Sequence, residues 1–550
     1  MTNNTPNTTS TDSPTDAPTP VISAETLSAA ETVIGLHFTD SEWALALEGV
    51  NEQRGNYEKL RAVPLDNSVP PAFAFDPRVP GLSVDAPAPR QVITLNGAEV
   101  PPLPTNFEHD PEQIAFWPLA HLAHLIQTRQ VTSVALTTMY LGRLKRYDPL
   151  LHCVVTLTEA LAMQQAQRAD AEIAAGHYRG VLHGIPWGAK DLLATSGIRT
   201  TWGAAPYADQ VLDYNATVVD RLDEAGAVLI AKLTLGELAM DDVWFGGMTR
   251  TPWDVERGSS VSSAGSGSAT AAGLVGFAIG TETHGSIVSP ATRCRVSGLR
   301  PTAGRVSKHG AMMLAWTMDK IGPMGRTVED CALVFNAIYG PDGKDLTVAD
   351  VPFQWMPDKS IDSLKVGYLK SAFDEENEHS AQNQHGLNIL RGLGIELIPI
   401  ELPDYPVNDI GFLLLAEAAA SFDDLTRTDR DDLLARQAKD SWPSLFRQAR
   451  LIPAVEYIQA QRVRTLIMRE MVTLMQQIDV YVAPSFGGTT LLLTNLTGNP
   501  AVVVPNGVTD KGEPSSLTFT GKLYGEADTL LVARAYQNAT DYHLQHPPLP

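Results

Sequence analysis

Cysteine is scarce in this chain. Cys153, Cys294 and Cys331 are the three among 550 residues, too few and too widely spaced for a disulfide framework or a zinc pattern. They fit a reducing compartment, and a cytoplasmic protein is expected. No apolar run is long enough to span a membrane. The N-terminal MTNNTPNTTSTDSPTDAPTP lacks the basic and apolar regions of a secretion signal. Basic charge is also in short supply: 41 Lys and Arg face 63 Asp and Glu, a net charge of −22. Such a surface repels phosphate backbones, which argues against nucleic acid as a direct partner. Familiar catalytic signatures are missing too. The chain has no G-x-S-x-G elbow, no G-x-x-x-x-G-K-[ST] phosphate loop, no S-x-x-K with supporting lactamase motifs, and no H-E-x-x-H or Cys/His cluster. Neither a metal nor an organic cofactor is expected.

What is present reads as a globular protein, with 44% hydrophobic and 19% charged residues. Residues 1–22 are rich in Thr, Pro, Asn and Ser and read as a disordered tail. Residues 23–62 turn helical, as two helices joined by a short loop. Ser28 to Glu31 and Thr39 to Glu42 both have capping-box spacing. The Pro-rich stretch 63–113 reads either as an extended arm on the main body or as an interdomain linker. From 114 to 550 short apolar strands alternate with amphipathic helices. Helices are expected at 122–146, 160–175, 217–224, 235–240, 328–339, 380–393, 416–424, 454–477 and 526–543. Strands are expected around 181–191, 227–231, 364–369, 395–400, 479–484 and 496–505. The alternation predicts an α/β fold: one large mixed sheet with helices on both faces and a helical N-terminal extension. No internal repeat is evident.

The rest of the chain is organised around residues 258–307. A Ser/Gly run at 258–268 passes directly into a small, apolar segment at 269–279, and a second Gly/Ser turn follows at Thr283-His284-Gly285-Ser286. A flexible linker is the plain reading of such a run. Small residues ahead of a buried segment also let backbone N–H groups and hydroxyls converge at one place, which is what a site needs. Lys190 emerges from the apolar turn Gly184-Ile-Pro-Trp-Gly188, where desolvation disfavours its charged form. A neutral amine there could act as base toward a serine hydroxyl.

The segment His183 to Asp191, the Ser-rich stretch from Ser262, Cys294-x-x-x-Gly298-Leu-Arg-Pro-Thr302-x-Gly304-Arg-Val-Ser307, Asp319 to Met324 with Arg326 to Asp330, and Asn495 to Pro505 together resemble the amidase signature family. The resemblance spans roughly residues 115–545 and implies a Ser–cis-Ser–Lys triad. Ser286 corresponds to the nucleophile, Ser262 to the bridging serine with a cis peptide before it, and Lys190 to the base. The 24 positions between Ser262 and Ser286 match the family spacing. The resemblance also implies an oxyanion hole from the backbone N–H groups of Thr283, His284, Gly285 and Ser286. The activity it implies is hydrolysis of an amide carbon–nitrogen bond through an acyl-enzyme, with esters and carbamates open to the same chemistry.

Two departures bear on the substrate. Glu282-Thr-His284-Gly-Ser-Ile-Val288 stands where the family commonly has Asp-x-Gly-Gly-Ser-Ile-Arg, so the arginine expected to pair with the carboxylate is missing at Val288. Ala264-Gly265 replaces the family's Gly-Gly. His284 either lines the substrate pocket or pairs with Glu282. Trp187 and Met240, with Trp202, Trp244 and Phe245, are candidates for an apolar substrate wall, although aromatics more often serve the core. Ser263, Ser266 and Asp191 read as structural hydrogen-bonding groups. Two alternatives to a stand-alone amidase remain: the glutaminase-type subunit of a tRNA-dependent amidotransferase, and a catalytically inactive binding protein of the same fold. The expected partner is a small-molecule amide, and the sequence does not test dimerisation through the N-terminal arm.

Overall fold

The structure, a computed structural model, describes residues 22–64, 73, 100–107 and 109–549. The expected disordered tail and most of the Pro-rich stretch lie outside those residues. An eleven-stranded mixed sheet runs through the body. Its order is Val154–Leu157, Val228–Leu233, Pro186–Lys190, Phe277–Glu282, Lys320–Gly325, Ser297–Arg300, Ala501–Val508, Pro514–Gly521, Val480–Pro484, Val366–Leu369 and Leu397–Ile400. Pro186–Lys190 pairs in parallel with both its neighbours, and the pairings from Phe277–Glu282 across to Val480–Pro484 are antiparallel.

The strand sequences explain the layers. Val-Leu-Ile-Ala-Lys-Leu at Val228–Leu233 is buried along its whole length, as expected for a strand covered on both faces. In Ala501–Val508, Val502 and Val504 join the main core, while Val503 packs with Ile287, Val288 and Ala291 of the next layer. Side chains of a strand alternate between faces, so this split marks the two sides of the sheet. Helices Val328–Ile338 and Glu526–Asn538 cover the main-core side. Helices Ala264–Ala271 and Val288–Cys294 pack together on the other and carry the Ser-rich stretch.

Several expectations shift once tertiary contacts are in place. The 235–240 segment is no helix: Glu237–Ala239 is a 3-10 turn in which Leu238 and Ala239 take left-handed backbone angles. The apolar stretch 269–279 divides between the end of one helix and the start of the Phe277–Glu282 strand. Residues 490–497 are helical before the Ala501–Val508 strand begins. At the N-terminus, Ala24–Ile34 and Asp40–Ala62 are helices. They form a small core around Leu27, Phe38, Trp43, Ala46 and Val50 and lie against helices Trp442–Ala449 and Ala454–Met475.

Candidate active site

Lys190 ends its strand fully buried, and its Nζ meets only oxygen. Ser262 Oγ and Ser263 Oγ lie at 3.0 Å, Thr281 Oγ1 at 2.8 Å and the Thr281 carbonyl at 3.5 Å. No carboxylate is in contact with it among the described residues. Burial drives its pKa down to about 7, although the more distant charges of Asp319 and Glu282 pull the other way. Near neutrality the amine is therefore available without its proton.

The two neighbouring serines are not equivalent. Ser263 Oγ donates to the Thr281 carbonyl at 3.1 Å and accepts from the Thr281 N–H at 3.1 Å. Its proton is committed, and toward Lys190 it can only accept. Ser262 Oγ has Lys190 as its protein partner, which leaves its proton free to move. Ser266 Oγ donates to the Ile279 carbonyl at 2.9 Å and stays in the fold.

Ser286 follows Gly285, whose φ of +89° lies in the region that favours glycine. The Ser263 N–H donates to the Ser286 carbonyl at 3.2 Å, tying the two serine turns together. Ser286 Oγ makes no hydrogen bond to protein among the described residues. The N–H groups of Thr283, His284, Gly285 and Ser286 likewise meet no protein acceptor there. The next two, of Ile287 and Val288, are taken by Glu282 Oε2 at 2.8 and 3.0 Å. Thr283 Oγ1 is anchored on Asp319 at 2.6 Å.

The carboxylate of Glu282 is not orphaned by the loss of arginine at Val288. Arg300, from the Ser297–Arg300 strand, reaches its Oε1 at 2.8 Å, and Asn495 Nδ2 reaches the same oxygen at 2.8 Å. Burial works to raise the Glu282 pKa, and Arg300, Asn495 and the Val288 N–H overcome it, holding the group down to about 2. His284 is exposed and makes no pair with Glu282 among the described residues. Arg300, Asn495 and Thr281 sit inside or beside the motifs, but their roles depend on contacts across 18 to 213 positions that spacing along the chain does not reveal.

The expected cis peptide is absent: among the described residues every peptide is trans. The chain reverses ahead of Ser262 through left-handed Ser260 (φ 76°), whose N–H is held by Asp242 Oδ2 at 2.8 Å. The peptide before Ser262 stays in the trans form, which for a non-proline residue is favoured by about 2.5–4 kcal/mol. Trp187 is not brought to the serines. It is buried in the core, stacked on Phe277 at 6.0 Å. Met240 is half-buried on the turn whose Gly236 N–H donates to the Ser262 carbonyl at 3.2 Å. Asp191 pairs with Lys232 at 3.0 Å and accepts from Thr201, a fully buried structural set.

A cavity of about 350 Å³ opens alongside, bordered by Ser260, Ser289, Arg293, Asn383, Phe486 and Ser515. A chain of hydroxyls, Thr292 to Ser516 to Ser485 to Thr518, links its wall at 2.6, 2.6 and 2.8 Å. No group of three or more metal-ligating side chains comes together among the described residues. No described helix is long and apolar enough to cross a membrane.

A buried lysine among hydroxyls, two serine turns tied by a hydrogen bond and a row of N–H groups without a protein acceptor among the described residues form an arrangement suited to acyl transfer. The amidase family pattern matches residues 135–494, and the chain belongs to the amidase signature family. It is thus an amidase, an enzyme of amide carbon–nitrogen bonds. It is 33% identical over 484 residues to the glutamyl-tRNA(Gln) amidotransferase subunit of Coxiella burnetii (strain Dugway 5J108-111), covering 78% of this chain and 99% of that one. With the same subunit of Roseiflexus sp. (strain RS-1) the identity is 36% over 472 residues, 76% of this chain and 96% of the relative. Among solved structures, the native peptide amidase from Stenotrophomonas maltophilia superposes with a TM-score of 0.69 at 28% identity, covering 78% of this chain and 97% of that one. An amidase family protein from Bacillus anthracis str. Ames gives 0.72 at 27% identity, over 81% and 94% of the two chains.

Proposed function

We propose that this chain hydrolyses an amide carbon–nitrogen bond with Ser286 as nucleophile, Ser262 as proton bridge and Lys190 as base. Neutral Lys190 takes the Ser262 hydroxyl proton as Ser262 takes that of Ser286, and Ser286 Oγ attacks the carbonyl carbon. The N–H groups of Thr283 to Ser286 receive the oxyanion. The relay then runs backwards, protonating the leaving amine as the carbon–nitrogen bond breaks. Water cleaves the acyl-enzyme by the same route.

The observation that carries this reading is the setting of Lys190: a fully buried amine with hydroxyl partners and a pKa lowered to about 7. Intact-protein mass spectrometry after a serine-reactive fluorophosphonate tests the triad. A single adduct on Ser286, absent in Ser286→Ala and slowed in Lys190→Ala, is expected. A folded wild type that takes no adduct, from this reagent or a smaller sulfonyl fluoride, supports an inactive binding protein instead.

A second reading is favoured by the relatives whose names place them in glutamyl-tRNA(Gln) amidotransferases. Release of ammonia from L-glutamine, dependent on a copurifying partner chain, would establish it. Turnover of simple amides by the isolated chain speaks for the stand-alone amidase.

A further inference from the structure

The 236–241 turn next to Ser262 is held in an unfavoured shape. Leu238, Ala239 and Asp241 all have left-handed backbone angles, with φ of 47°, 64° and 55°. Residues without that freedom keep such angles only where their surroundings impose them. The turn closes so tightly that a Cβ on Gly236 would come within 1.9 Å of the Met240 and Asp241 carbonyls. It touches both halves of the site. Its Gly236 N–H donates to the Ser262 carbonyl, and Ala239 shares a narrow cleft with Thr283.

The Leu238 N–H is held by the Trp202 carbonyl at 3.0 Å, and the remaining imposing contacts come from one distant segment. Trp442 Nε1 donates to the Glu237 and Leu238 carbonyls, both at 3.2 Å. The buried Glu237 carboxyl accepts the Ala435 N–H on both oxygens at 2.9 Å, and Arg436 pairs with Asp241. We propose that Trp442 and Glu237 are positioning residues for catalysis, holding the 236–241 turn in the shape that sets Ser262 between Lys190 and Ser286. They touch no reacting atom and act through Gly236 and Ser262. This inference rests on the proposed triad. The same Trp442–Ala449 helix is backed by the N-terminal extension, where Glu42 pairs with Arg447 and Gly49 lies against Gln448.

The test uses the full-length protein with variants Trp442→Phe, Glu237→Gln and Glu237→Ala, turnover being normalised to the titre of fluorophosphonate-reactive sites. Phenylalanine keeps a ring to stack on Phe446 and drops the N–H donor together with part of the buried ring volume, which is why the Glu237 variants are read beside it. Trp442→Phe and Glu237→Ala should lower both kcat and the rate of Ser286 phosphonylation by about ten-fold, since sub-ångström displacement of a reacting group has effects of that order. KM should change less than two-fold. Glu237→Gln should recover most of the rate, because an amide oxygen still accepts from Ala435, and burial has already pushed the carboxyl up to about 7. Unchanged kcat per reactive site in both Trp442→Phe and Glu237→Ala overturns the inference. So does a loss confined to thermal stability or to the titre. If Trp442→Phe does not fold, the Glu237 pair decides alone. A wild type that takes no adduct on Ser286 sinks the triad itself, a result distinct from normal labelling with insensitive variants.

Discussion

Lys190 and Lys232 show how much a single neighbour decides. They lie one register step apart on adjacent parallel strands, and both are fully buried. Lys232 has the Asp191 carboxylate at 3.0 Å, which opposes the loss of its proton, whereas Lys190 has hydroxyls. Two consequences follow for Lys190. Its lone pair becomes available as pH rises through about 7, so kcat/KM should climb through a single ionisation near that value, and a profile flat from pH 5 to 9 would contradict it. Between about 7 and 10.5 the unfolded chain holds a proton on this group that the folded chain lacks, so the group's cost to stability is complete below 7 and fades toward 10.5. Lys190→Met should therefore be inactive yet melt higher than wild type at pH 7, with the gap closing by pH 10. Parallel melting curves across that range would refute the depressed pKa.

At the scale of elements, Glu282 joins three of them. It ends the Phe277–Glu282 strand, caps the start of Val288–Cys294 through two N–H groups, and meets Arg300 of another strand. Removing its charge leaves Arg300 buried and unpaired, so Glu282→Gln should cost about 3–5 kcal/mol in urea unfolding. Because its pKa is depressed to about 2 from an ordinary 4.5, its contribution to stability is present above 4.5 and is lost as pH falls toward 2. The variant should lie closest to wild type in acid. The two capping-box spacings near the N-terminus show what is legible at this scale. Thr39 and Glu42 form the full reciprocal cap, a local interaction that local sequence specifies. Ser28 and Glu31 have the same spacing but lie inside a helix capped by Ser23, and Glu31 instead accepts from Trp43 Nε1 at 2.6 Å. The pattern was identical, and a tryptophan 12 positions away decided its use.

Across the whole molecule, the N-terminal helices form a small core around Trp43 and join the body through Tyr57 and Leu60, buried in a core shared with Ile410 and Phe412, and through the pairs Glu42 with Arg447, Arg61 with Glu456 and Lys59 with Asp409. Trp43→Ala removes the largest buried side chain of that cluster, a loss of about 3–5 kcal/mol. Limited proteolysis should then cut between 24 and 62 while the body resists. Simultaneous loss of both would mean that the extension is integral to the main core.

By itself the sequence determined what is local or periodic: the α/β alternation, most strands and helices, the order of the motifs and the 24-residue spacing of the two serines. Ser262 stood apart from Ser263 and Ser266 through the family resemblance alone, and the contacts that occupy the other two, with Thr281 and Ile279, lie 18 and 13 positions along the chain. Only the tertiary structure decided that Arg300 pairs with the Glu282 carboxylate while Val288 holds no arginine, that Trp187 goes to the core, that the turn before Ser262 runs through a left-handed Ser260, and that 236–240 is a strained turn. Those outcomes depend on which distant groups share a buried volume. Desolvation and long-range hydrogen bonding exist once the chain has packed, and no spacing along it encodes them.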